Sequence, residues 1–139
     1  MSNIRLKAPQ TRVKVRIDEQ GFSVTNTRGH TLKIAVSPST EGFNPYELLS
    51  AAVGVCTGLG LRREATLAKV TDSIRHFELD VESFKAEDAP SRLERLELRV
   101  TVEGDVDQAT KEGIANRAAQ ACTIANTLRN QTSVQELVA

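Results

Sequence analysis

The stretch Asn44-Pro45-Tyr46-Glu47-Leu48-Leu49-Ser50-Ala51-Ala52-Val53-Gly54-Val55-Cys56-Thr57 decides how this chain is read. Asn44 fits a helix N-cap, Pro45 the first helical position and Glu47 the third. Behind them Leu48, Leu49, Ala52, Val53, Cys56 and Leu59 recur at helical spacing, which predicts one long helix reaching about Val70. Its middle is rich in Ala and Gly. Gly54, Gly58 and Gly60 give a smooth surface, suited to close helix packing in a dimer or simply to a crowded core.

Working outward, Val13, Val15 and Ile17 alternate with Arg12, Lys14 and Arg16, the pattern of a half-buried strand. Asp18 to Gly21 reads as a turn, Phe22 and Val24 resume the alternation, and Asn26 to Gly29 is a second turn. Leu32, Ile34 and Val36 give a third strand, so the N-terminal third is an antiparallel meander. Beyond the helix, Phe77, Leu79 and Val81 predict a strand, and Leu96, Leu98, Val100 and Val102 a longer one. Asp105 or Asp107 can cap a helix that carries Ile114, Ala118 and Ala121 inward and reaches Cys122, with Asn126 to Asn130 closing it. Ser133 to Val138 could add a short edge strand. The order βββ-α-ββ-α-β is α+β, in a single domain over residues 1–139.

The core must be built mostly from Val, Leu, Ile and Ala, because aromatics are only 4% of the chain. Eighteen basic residues balance eighteen acidic ones, so no basic surface points to nucleic acid. No apolar run resembles a signal peptide or could span a bilayer, and the expected compartment is the reducing cytoplasm. There two cysteines are more often free or catalytic than joined in a structural disulfide.

Those two are Cys56 and Cys122, each in an apolar, small-residue stretch and neither part of a CxxC motif. Each reads either as a small core hydrophobe or as a reactive thiol. Far apart in sequence, they can still meet in space, one attacking a substrate and the other resolving the oxidised product. An apolar helix face disfavours the thiolate, so a reactive Cys56 needs a cation from elsewhere in the fold. Glu47, three residues after Asn44, has the geometry of a capping box. Nine residues before Cys56, it points to about the opposite side of the helix. His30 and His76 are isolated, no metal-ligand set is spaced for a closed site, and no phosphate loop, GxSxG or HExxH is present; no cofactor or metal is expected.

With the Asn44-Pro45-x-Glu47-Leu48-Leu49 entry, the small-residue run to Cys56, and Cys122-x-x-x-Asn126-Thr127-Leu128-Arg129, the chain resembles the OsmC/Ohr family, especially its short OsmC-like branch. The resemblance implies an OsmC-like fold: N-terminal meander, long central helix, ββα unit and an intertwined homodimer with active sites at the subunit interface. It also implies thiol-dependent reduction of organic hydroperoxides, with Cys56 attacking a small apolar peroxide, Cys122 resolving and an external dithiol restoring both. Three positions depart from the family pattern. Tyr46 stands where the hydroperoxide-resistance branch has a glutamate, Gln20 falls near the place of its catalytic arginine, and Thr123 replaces the proline after the second cysteine. Arg28, in the turn feeding the third strand, is the substitute cation, and Glu47 could hold it. The competing reading is a non-catalytic redox-sensing or small-ligand-binding protein on the same fold.

Overall fold

The computed structural model describes residue 9 and residues 11–138, and they cluster into two compact units, one ending at Pro45 and one starting at Tyr46. In the first, β1 (Val13–Asp18), β2 (Gly21–Asn26) and β3 (Thr31–Leu32) form an antiparallel meander in the order β1-β2-β3. Its register sets Val15 against Val24 and Ile17 against Phe22. The apolar side chains Val13, Val15, Ile17 and Phe22 stand exposed.

The third strand is shorter than its alternation predicts. After Leu32 the backbone leaves β2 and pairs with the following loop: Phe43 N–H donates to Lys33 O and Ala35 N–H to Phe43 O, each at 3.1 Å. The loop returns through Gly42 at φ +126°, where a Cβ would lie 2.5 Å from the Lys33 carbonyl oxygen. Only glycine fits that approach.

Helix α1 (Pro45–Leu67) begins directly after Asn44, as its start signals predict. It ends three residues short of Val70 because Lys69 turns left-handed at φ 59°. Val70 N–H then donates to Ala65 O at 3.0 Å and Lys69 N–H to Thr66 O at 3.1 Å, a Schellman ending. A short 3-10 turn at Thr71–Ser73 leads to β4 (Ile74–Lys85) and β5 (Leu93–Gly104), a two-stranded antiparallel sheet. Phe77 pairs with Val102, Leu79 with Val100 and Val81 with Leu98, giving one apolar face.

Asp107, not Asp105, caps α2 (Gln108–Ala121), its Oδ1 accepting from Thr110 N–H at 2.8 Å. The expected single C-terminal helix is broken. Cys122 adopts an extended conformation (φ −67°, ψ 110°) and starts a separate α3 (Thr123–Arg129). Residues 131–138 form neither helix nor strand, and Val134, Leu137 and Val138 are exposed. The expected edge strand is absent there because alternation becomes a strand only where a sheet edge accepts it.

Two buried clusters hold the second unit. Leu61 and Ala65 of α1 meet Ile114 and Ala118 of α2, with Phe77, Leu79 and Val100 of the sheet against them. Val53 of α1 meets Cys122 and Ala125, with Cys56, Leu96, Leu98 and Ile124 alongside. The small residues of α1 serve this packing. A Cβ on Gly54 would meet Val81, one on Gly58 Leu79, and one on Gly60 the backbone of Ala118. Crowding within the chain accounts for Gly60 and Gly54, whereas at Gly58 a Cβ would make ordinary contact.

Candidate functional site

The α2–α3 junction gives Cys122 its setting. With the backbone extended there, the sulfur turns back over the first turn of α3 and accepts from Ala125 N–H at 3.4 Å. Its own S–H donates to the Val53 carbonyl of α1 at 3.9 Å. Asn126 steadies the bend by donating from Nδ2 to Gln120 O at 3.0 Å. Cys122 is 2% exposed. Burial pushes its thiol up, but the Thr57 hydroxyl, the Ala125 and Ile124 N–H groups and the Cys56 thiol more than offset this, leaving it below the ordinary thiol value.

Cys56 lies one helical turn beyond Val53 and packs against the same cluster, and its thiol helps hold the Cys122 thiol below its ordinary value. Both cysteines are free thiols. Cys56 is half-buried whereas Cys122 is buried, so it is the more accessible of the two. Beside Cys122 lies Thr57, 1% exposed, whose hydroxyl has no hydrogen-bond partner of ordinary geometry. A cavity of about 530 Å³ adjoins the cluster and shares Val53, Leu96, Leu98 and Ala125 with it, with Tyr46 and Arg129 also lining it. Its lining is mainly apolar, as suits a small organic molecule.

The structure thus brings Cys56 and Cys122 together. Glu47 lies in the first turn of α1 and lines a different groove, with Ala51, Gly54, Gly58 and Val81. Arg28 belongs to the first unit, exposed in the β2–β3 turn, where its N–H donates to Asn26 Oδ1 at 3.0 Å. Gln20 is exposed in the β1–β2 turn of the same unit. Arg63 is engaged with Glu64 at 3.2 Å.

Two features escaped sequence reading. Thr57 looks like any helical threonine until Cys122 is placed beside it. Glu64, buried on α1, holds Arg117 of α2 at 2.9 Å as well as Arg63. The Arg117 hydrogen bond is the main reason its carboxyl lies below the usual 4.5; burial opposes this, and Arg63 adds to it. The only signal was an acidic residue beside Leu61 and Ala65 on an otherwise inward face. Among the described residues, no three His, Cys, Asp or Glu side chains gather to hold a metal, and no helix is long and apolar enough to cross a membrane.

No curated protein matches the sequence. Solved structures do match the fold. An OsmC-like protein from Mycoplasma pneumoniae aligns with a TM-score of 0.77 at 12% identity, covering 88% of this chain and 89% of its own. An organic hydroperoxide resistance protein OsmC from Legionella pneumophila aligns at 0.69 and 20% identity, covering 88% and 91%. The organic hydroperoxide resistance protein OhrB of Bacillus subtilis aligns at 0.67 and 20% identity, covering 88% and 93%. At such identities these likenesses establish the fold. The family model for OsmC-like proteins matches residues 37–136, which includes both cysteines, the long helix and the ββα unit. This chain belongs to the OsmC-like protein family.

Proposed function

We propose that the chain reduces organic hydroperoxides by a two-cysteine cycle, as a cytoplasmic homodimer without metal or cofactor. The Cys56 thiolate attacks the peroxide O–O bond; the alkoxide leaves and takes a proton, giving the alcohol, and Cys56 becomes a sulfenic acid. The Cys122 thiolate then attacks that sulfur, forming the disulfide and releasing hydroxide, which is protonated to water. An external dithiol reduces the disulfide by two exchange steps.

The observation that carries this reading is the meeting of Cys56 and Cys122 in one apolar cluster beside a cavity of small-molecule size. The names of the Legionella and Bacillus structures, organic hydroperoxide resistance proteins, supply the substrate class. A second copy is supported by the exposed apolar side chains of β1 and β2 and by Val55 and Leu59, exposed on α1. Arg28 is the proposed cation that favours the Cys56 thiolate, and Glu47 the proposed group that orients it.

Purified protein, given cumene hydroperoxide and a dithiol, should consume the peroxide, and Cys56→Ser should abolish turnover. Without reductant, peptide mapping should find a Cys56–Cys122 bond within one chain. Arg28→Met should slow alkylation of Cys56 by iodoacetamide, and an unchanged rate removes Arg28 from the site. Full activity in Cys56→Ser refutes the mechanism. A disulfide that forms without turnover would instead favour the redox-sensing reading, which the presence of Gln20 in the first hairpin turn supports.

A further inference from the structure

Thr57 is buried to the same degree as the core leucine Leu61, yet its hydroxyl has no partner of ordinary geometry. A threonine in a helix usually donates to the carbonyl four residues back. For Thr57 that carbonyl is Val53 O, and it already accepts from the Cys122 S–H at 3.9 Å. The Cys122 sulfur therefore occupies the notch on α1 between Val53 and Thr57. The orphaned hydroxyl is left beside it.

A buried donor without an acceptor costs free energy, and its removal would ordinarily stabilise a protein. Here a strong acceptor exists in one state of the site only, since the thiol sulfur is a weak one and already takes the Ala125 N–H. As a thiol, Cys122 donates to Val53 and gives Thr57 little to bond. As a thiolate it loses that donation and becomes an acceptor, with Ala125 N–H already aimed at the sulfur at 3.4 Å. We propose that Thr57 is a positioning residue of the resolving step, its hydroxyl swinging onto the Cys122 sulfur as the proton leaves and so readying Cys122 to close on an oxidised Cys56.

This inference rests on the two-cysteine cycle. In that cycle the Cys122 thiolate forms the S–S bond, the S–O bond of the Cys56 sulfenic acid breaks, and the departing hydroxide takes up a proton. The groups packed around Cys122 leave Thr57 little competition. From α1 come Val53 and Cys56, from β5 Leu96 and Leu98, from α3 Ile124 and Ala125; the adjoining cavity adds the titratable Tyr46, Glu94, Arg95 and Arg129, of which Arg129 donates to Asn126 Oδ1 at 3.2 Å. The neighbouring charges of β5 are engaged elsewhere: Arg95 pairs with Glu97 at 2.9 Å and lies over Phe84, and Arg99 faces Glu82 at 3.7 Å. Burial opposes the thiolate, and the donors around it, Thr57 first, outweigh that opposition.

The test isolates Cys122 in a Cys56→Ser background and follows its ultraviolet thiolate absorbance against pH. Adding Thr57→Val keeps the shape and removes the hydroxyl, so ionisation should move to higher pH; Thr57→Ser should restore the parent curve. Thr57→Ala must shift it the same way, which covers a valine variant that fails to fold. With both cysteines present and one addition of cumene hydroperoxide, Thr57→Val should close the disulfide about tenfold more slowly at neutral pH, the scale of one lost hydrogen bond to an ion. The dimedone-trapped sulfenic acid should persist correspondingly longer. An unchanged titration in both Thr57→Val and Thr57→Ala overturns the inference, whatever the activity. A shifted titration in a protein that consumes no peroxide supports Thr57 as the donor and refutes the peroxidase cycle instead.

Discussion

Alanine placed at each of the three α1 glycines should give three different answers, and their order tests how the central helix is packed. Glycine within a helix costs roughly 0.5–1 kcal/mol relative to alanine, so each substitution starts with that gain. At Gly58 the new Cβ would lie 3.7 Å from Leu79 Cδ1, ordinary contact, and the full gain should appear. At Gly54 it would lie 3.2 Å from Val81 Cγ2. Valine is stiff at χ1, so the strain should cancel most of the gain. At Gly60 it would meet Ala118 Cα and Cβ at 3.3 Å and Ala118 O at 3.4 Å. Helix backbone cannot step aside as a side chain can, and Ala118 is fully buried against Leu61 and Ile114. Overpacking of this kind costs about 1–3 kcal/mol, which leaves a net loss of about 1 kcal/mol. At roughly 4 °C per kcal/mol, Gly58→Ala should melt about 2–4 °C above the parent and Gly60→Ala about 4 °C below it. Gly54→Ala should stay near the parent. Melts followed by circular dichroism at one fixed protein concentration would read this, since assembly would tie Tm to concentration. If Gly60→Ala melts above the parent, the α1–α2 contact is wrong. If Gly58→Ala drops as far as Gly60→Ala, another chain lies against that face of α1.

Glu64 lies below its usual value in the folded state, so an unfolded chain binds its proton first as pH falls. The stability it contributes should be complete above about pH 4.5, its ordinary value, and drain away as pH falls through the folded one. Tm of Glu64→Gln should accordingly lie below the parent at neutral pH and approach it in acid; a constant gap from neutral to acid pH would contradict the assignment. For assembly, light-scattering mass at micromolar concentration should equal two chains, and Val15→Lys with Ile17→Lys should shift it toward one. A parent that runs as a stable monomer refutes the dimer.

The fold was legible where local rules act alone. Asn44, Pro45 and Glu47 announce the start of α1, and the alternation of β4 and β5 announces their shared apolar face. Its failures fall where a distant partner decides. Lys69 ends α1 in a left-handed turn that carries no glycine to signal it. Cys122 breaks the last helix without proline or glycine, because its sulfur is held between α3 and the Val53 carbonyl. Ile34 bridges to Phe43 in the loop instead of extending β3. The cysteine pair came from family resemblance, since spacing alone left each cysteine open to a plain core reading. Thr57 could not be found in the sequence at all: its significance lies in an unfilled hydrogen bond, which is a tertiary fact.

The unequal surroundings of the two cysteines bear on their order in the proposed cycle. A hydroperoxide must bring its O–O bond to the first sulfur from solvent or from the adjoining cavity. Cys122, 2% exposed behind Val53 and Ala125, gives it no such path, however well donors support the thiolate there. Cys56 is half-buried and the more accessible of the two. Access and anion support have thus been divided between two residues. The division works only if the supported anion never needs to meet the substrate. The resolving step meets that condition, since its electrophile is the neighbouring Cys56 sulfur, already inside the cluster. Exchanging the roles would require Val53 and Ala125 to open, and these are among the buried residues of the core. In the proposed cycle, access is therefore the reason to give attack to Cys56 and closure to Cys122, with thiolate stability bearing only on the second step.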